Sequence, residues 1–124
     1  MKDFLDILRE ESVKRCESPK GFNHTLESWS YAEWTNAICG EAGEAANLGK
    51  KLIRFRDNVR GNGNLKFGEL LDKMADEIAD AVIYGDLTLA KAGISLKERI
   101  IKRSTRNTGN NSTGNANRTS SAYS

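Results

Sequence analysis

At 124 residues and 13.7 kDa, the chain has room for one domain with a modest core. Nineteen Lys and Arg against 17 Asp and Glu leave a net charge of +2, and without Arg106 and Arg118 residues 1–103 are balanced, so no basic field for gripping duplex nucleic acid exists. No apolar run reaches the ~20 residues of a membrane helix, and MKDFLDILREE carries acids where a signal peptide is basic and then apolar; a soluble, cytoplasmic protein is expected.

Residues 2–17 read as a first helix, with Phe4, Leu5, Leu8 and Val13 at near-helical spacing. Ser18-Pro19-Lys20-Gly21 ends it, because proline and glycine both break the pattern. A linker from Phe22 to Trp29 follows, in which both aromatic residues are expected to pack. Cys16 and Cys39 are expected as buried thiols. The single histidine, His24, leaves no zinc or triad signature and is expected in an exposed or capping role.

Ser30-x-x-Glu33 has the form of a capping box and opens a long second helix to about Phe55. Trp34, Ala37, Ile38, Glu41, Glu44, Ala45, Leu48 and Leu52 fall on one stripe, apolar except for the two glutamates. An acid on the buried face of a helix is costly unless it is paired or liganded. Gly40, Ala42, Gly43, Ala45, Ala46 and Gly49 thin the same helix and let another backbone or a ligand come close. Asp57–Asn64 is turn-rich. A third helix is predicted over Leu65–Ala92, with Leu71, Met74, Ala75, Ile78, Val82, Gly85 and Leu89 as its main stripe and Glu77, Asp80 and Tyr84 alongside. Gly93 stops it, and Ser95-x-x-Glu98 starts a short fourth helix through about Arg103. The fold class is therefore all-α, an antiparallel bundle of about four helices over residues 1–103. Residues 104–124, rich in Asn, Ser, Thr and Gly, are expected to form a disordered tail.

Glu41-x-x-Glu44 and Glu77-x-x-Asp80 each place two carboxylates on one helix face. If the second and third helices are antiparallel, the four groups meet, and they can stay ionised together only around positive charge. All-oxygen ligands suit Mg²⁺, with Mn²⁺ as a substitute. Carboxylate-held Mg²⁺ most often serves phosphate chemistry, and Lys51 and Asn47, further along the same side, suit a phosphate or sugar. One such pair alone would more often be a structural ion pair or a surface acid. Two pairs of equal spacing on neighbouring helices favour a site. Trp34 and Tyr84 are, by residue type, more often core than base-stacking.

Trp34–Leu52 (WTNAICGEAGEAANLGKKL) and Leu71–Leu96 (LDKMADEIADAVIYGDLTLAKAGISL) together resemble the MazG-like nucleotide pyrophosphohydrolases of the all-α NTP pyrophosphatase group. The likeness covers roughly residues 22–103. It implies hydrolysis of a nucleoside triphosphate, deoxy by preference, to monophosphate and pyrophosphate. Glu41, Glu44, Glu77 and Asp80 match the family's metal ligands, Lys51 a phosphate-contacting lysine and Asn47 a polar position near the site. Glu44 is the expected base toward the attacking water, and Trp34 and Tyr84 are expected near the nucleotide. The family also implies a homodimer or homotetramer. Two departures stand out: the loop Asp57–Asn64 is longer than in compact members, and in the K-x-N-like segment after the fourth helix Lys102 fits while Ser104 replaces asparagine. A protein that binds nucleotides, or other helices, without turnover is the alternative expectation.

Overall fold

The computed structural model of the chain describes residues 1–111, with side chains through residue 106. Every regular element among them is helical: α1 (Phe4–Glu17), a 3-10 turn (Leu26–Ser28), α2 (Tyr31–Arg56), α3 (Phe67–Lys91) and α4 (Leu96–Asn111). None of these helices is long and apolar enough to cross a membrane. Met1–Ile94 form one compact unit, and a second begins at Ser95.

Local chemistry sets the helix ends. The Ser30 hydroxyl accepts from the Glu33 amide at 3.2 Å while the Ser30 amide donates to Glu33 Oε2 at 2.7 Å, completing the expected capping box. After α3, Gly93 takes φ +70°, and the Ile94 amide reaches back to the Leu89 carbonyl at 2.9 Å. The compact unit ends there, nine residues before the boundary read from composition.

The long helices α2 and α3 pack along their lengths. Trp34 meets Tyr84, Glu41 meets Glu77, and Phe55 meets Phe67 edge-on at 5.9 Å. Numbers rising along α2 pair with numbers falling along α3, so the two helices are antiparallel. α1 and the 3-10 turn lie against α3. The core sits at their junction: Cys16, Trp34 and Leu87 are buried, flanked by Val13, Leu26, Trp29, Ile83 and Tyr84. A second junction is ionic. Asp86, 1% exposed, accepts from Arg9 Nε at 3.0 Å, and Arg9 also donates to the Ile94 carbonyl at 2.7 Å. One guanidinium thus ties α1 to α3 and to the turn that ends it.

Several expectations change. The face of α3 turned inward is not the main apolar stripe: Leu71, Ile78 and Val82 are 37%, 49% and 48% exposed. Leu70, Ile83, Tyr84, Asp86 and Leu87 face the rest of the unit instead. The helix is apolar on most sides, so periodicity could not say which side α2 would cover. Cys39 is exposed rather than buried, because α2 turns it away from α3. His24 neither caps a helix nor stands free; it is half-buried, stacked on Trp29 at 4.9 Å, with Nδ1 3.2 Å from the Ser28 hydroxyl. Finally, α4 does not stop near Arg103 but continues to Asn111, with the Thr105 hydroxyl bonded back to the Ile101 carbonyl. Ser, Thr and Asn are poor helix formers yet tolerated once a turn exists to extend. The remainder of the expected tail, 112–124, lies outside the described residues.

Candidate metal centre

The antiparallel pairing of α2 with α3 brings the carboxylates together. One oxygen from each of Glu41, Glu77 and Asp80 lies within 4.8 Å of the other two. Glu41 and Glu77 are half-buried, and Asp80 is exposed. Glu44, one turn beyond Glu41, stands outside this set of three but lies against Glu77 and Glu41, close enough to share a proton. All four acids singled out by spacing therefore occupy one place, as three convergent groups and a neighbour.

Their electrostatics follow from crowding. Glu77 holds its proton above the ordinary carboxylate range, first because it can share it with Glu41 and then because of burial and the charges of Glu41 and Asp80. Glu44 is raised as well, chiefly by hydrogen bonding and charge repulsion with Glu77. Tyr84 is pushed up by burial and by the nearby charges of Glu41 and Asp80. The ion pairs Lys2–Glu10, Arg9–Asp86, Arg56–Asp57 and Lys91–Glu27 lie elsewhere, and none of them uses a member of the cluster. A set of oxygen donors converging without a side-chain cation fits a hard divalent ion, which needs several oxygens and keeps water for the rest.

The other expected site residues are placed differently. Lys51 is half-buried and Asn47 exposed, both on α2. At 1.5 Å rise per residue, Lys51 lies about 10 Å along the axis from Glu44, so its backbone stands well away from the three convergent carboxylates. Trp34 is 1% exposed; its indole N–H donates to the Leu26 carbonyl at 3.1 Å, and Trp29, His24 and Tyr84 surround the ring at 4.7, 5.5 and 6.2 Å. It backs Tyr84 and has no open face for a base. Lys102 belongs to α4, outside the unit that carries the cluster.

One feature escaped the sequence reading. A cavity of about 210 Å³ is lined by Arg15, Phe22, Asp80, Ile83, Tyr84 and Leu87. Asp80 thus belongs both to the carboxylate set and to the wall of this cavity. Arg15 and Phe22 come from α1 and the segment after it; the sequence marked Phe22 only as a packing residue and gave Arg15 no role. The available signal was Pro19-Lys20-Gly21, a reversal tight enough to fold Phe22 back onto Arg15.

No protein-family model, curated protein or solved structure matches the chain.

Proposed function

We propose that the chain is a Mg²⁺-dependent nucleoside triphosphate pyrophosphohydrolase of the MazG-like kind, for which Mn²⁺ also serves. It converts (deoxy)nucleoside triphosphates to monophosphate and pyrophosphate as housekeeping of the cytoplasmic nucleotide pool. The observation that carries this reading is the meeting of Glu41, Glu77 and Asp80 across two antiparallel helices, with Glu44 beside them and, among the described residues, no lysine or arginine in an ion pair with any of the four.

In this reading Glu41, Glu77 and Asp80 hold the ion. The ion supplies positive charge that offsets the polyphosphate and lowers the pKa of water. Glu44, at the edge of the set, takes a proton from the water that attacks the α-phosphorus; the α–β anhydride bond breaks and pyrophosphate leaves. Lys51 and Asn47 extend along α2 toward the departing phosphates. The exposed stripe Leu71, Ile78 and Val82 is covered by a second copy of the chain, giving a homodimer or homotetramer.

A panel of NTPs and dNTPs with Mg²⁺, resolved for monophosphate and pyrophosphate, tests the activity. Glu44→Gln should lower kcat by at least about a hundredfold while leaving Mg²⁺-dependent nucleotide binding in place. Binding without product in the wild type would identify the non-hydrolysing alternative, and neither binding nor product would remove both.

A further inference from the structure

The loop that joins α2 to α3 borders another cavity, of about 520 Å³, whose lining includes Arg54, Phe55, Val59, Arg60, Asn62 and Leu65. Arg54 lies ten positions past Glu44, about 15 Å along α2, and no member of the carboxylate cluster lines this space. The loop is built around that arginine. The Arg54 carbonyl accepts from the Val59 amide at 2.8 Å, and its Nη1 donates to the Gly61 carbonyl at 2.9 Å and to Asn62 Oδ1 at 3.2 Å. Asn62 is anchored in turn, since its Nδ2 donates to the Lys51 carbonyl at 2.8 Å. Asn58 at φ 53° and Gly61 at φ +132° supply the left-handed backbone that brings the chain around. A Cβ at Gly61 would stand 3.6 Å from the Arg54 side chain, so the loop backbone packs against it.

Both acceptors of Arg54 are neutral, so these bonds fix the guanidinium without cancelling its charge. Arg56 is satisfied by Asp57 at 2.8 Å, whereas among the described residues no carboxylate is in an ion pair with Arg54 or Arg60. No acid is among the described residues that line the cavity. Arg54 is also half-buried, where salt screens a charge less than at the open surface. Its two bonds use one of three guanidinium nitrogens, and a guanidinium so held presents the fork that carboxylate and phosphate oxygens match. Phe55, Val59 and Leu65 add apolar wall beside it. The volume falls within the ~300–1,000 Å³ usual for small-molecule sites.

We propose that this cavity is a second ligand site, for a small organic anion that carries one carboxylate or phosphate head on an apolar body. Arg54 and Arg60 hold the head, and Phe55, Val59 and Leu65 cover the body. The site needs no divalent ion and stands whatever the carboxylate cluster does.

Calorimetry and amide chemical shifts of the full chain, freed of divalent ions, test the proposal with phenyl phosphate, benzoate, inorganic phosphate and phenol as probes. Phenyl phosphate or benzoate should bind at least about tenfold more tightly than inorganic phosphate or phenol, because only they offer both head and ring. The shifts should centre on residues 54–65, and the tighter of the two names the head group. Arg54→Gln and Arg60→Gln should each weaken that binding about tenfold or more, the usual loss for a hydrogen bond to a charged group. Arg54→Gln also removes bonds within the loop, so the exposed Arg60 supplies the variant that spares them. Inorganic phosphate binding as tightly as phenyl phosphate would overturn the apolar half of the proposal, and phenol doing so would overturn the anionic half. No saturable binding of either organic anion, or full affinity in Arg60→Gln, would overturn the site itself.

Discussion

Asp86 is the residue on which the compact unit's ionic junction turns. It is almost fully buried, one carboxylate oxygen is held by Arg9, and the other has no hydrogen-bond partner. A buried charge deprived of its partner costs far more than the intact pair contributes. Arg9→Met should therefore lower unfolding stability by about 3–5 kcal/mol in denaturant titrations, and a second change, Asp86→Leu, should restore most of it. Little recovery in the double variant would mean that Arg9 acts through its bond to the Ile94 carbonyl instead. The acids of the cluster follow a different rule. They are partly wet, and hydrogen bonding between neighbouring carboxylates is the first cause that raises Glu44 and Glu77, with burial and mutual charge adding to it.

The element that positions α1 is the reversal at Ser18–Phe22. The Gly21 amide donates to the Ser18 carbonyl at 2.9 Å and the His24 amide to the Cys16 carbonyl at 3.1 Å, so the chain doubles back along the end of α1. A side chain at Gly21 would collide with backbone, which cannot swing aside as a side-chain tip can. Gly21→Ala should cost about 1–3 kcal/mol, the usual range for overpacking, and should displace Phe22 from Arg15. Thermal unfolding gives the first effect, and amide chemical shifts confined to residues 15–24 give the second. A variant as stable as the wild type would show that the turn relaxes without penalty. Ends set by short-range chemistry, such as the Ser30–Glu33 box and the stop at Gly93, were legible in the sequence within a residue or two. The end of α4 was not, because poor helix formers extend an existing helix more readily than they start one.

On the scale of the whole molecule, folding brings four acids together, and that couples stability to pH and to divalent ions. Glu44 and Glu77 bind protons more tightly in the folded than in the unfolded chain. Without a divalent ion, their contribution is complete below the ordinary glutamate value near 4.3 and is lost as pH rises through their raised values. Mg²⁺ acts in the opposite sense, since it needs the ionised forms. Melting temperatures in EDTA and in Mg²⁺ should therefore diverge as pH rises from about 4 to 8; at a hundred times its dissociation constant the ion adds about 2.7 kcal/mol. Glu77→Gln should close most of that gap, and a gap independent of pH would contradict the cluster as an ion site. The second whole-molecule expectation concerns the uncovered stripe of α3. Ile78→Lys should shift sedimentation of the proposed oligomer to the monomer without unfolding α3, because its side chain is half exposed in the single chain. A wild type already monomeric at high concentration would refute the covering copy.

The sequence by itself determined what depends on near neighbours: where α1, α2 and α3 begin and end to within a residue or two, which residues are three apart, and that two acid pairs share a spacing. These features rest on backbone geometry and capping, which a short stretch of chain already contains. Only the tertiary structure decided which face of α3 turns inward, that Glu44 stands beside rather than within the set of three, and that Trp34 is walled in. It alone brought Arg15 and Phe22 to Asp80, more than fifty positions away along the chain. Helical periodicity marks a side as apolar or acidic, but the partner that covers it is chosen by packing among distant segments, and no local pattern records that choice.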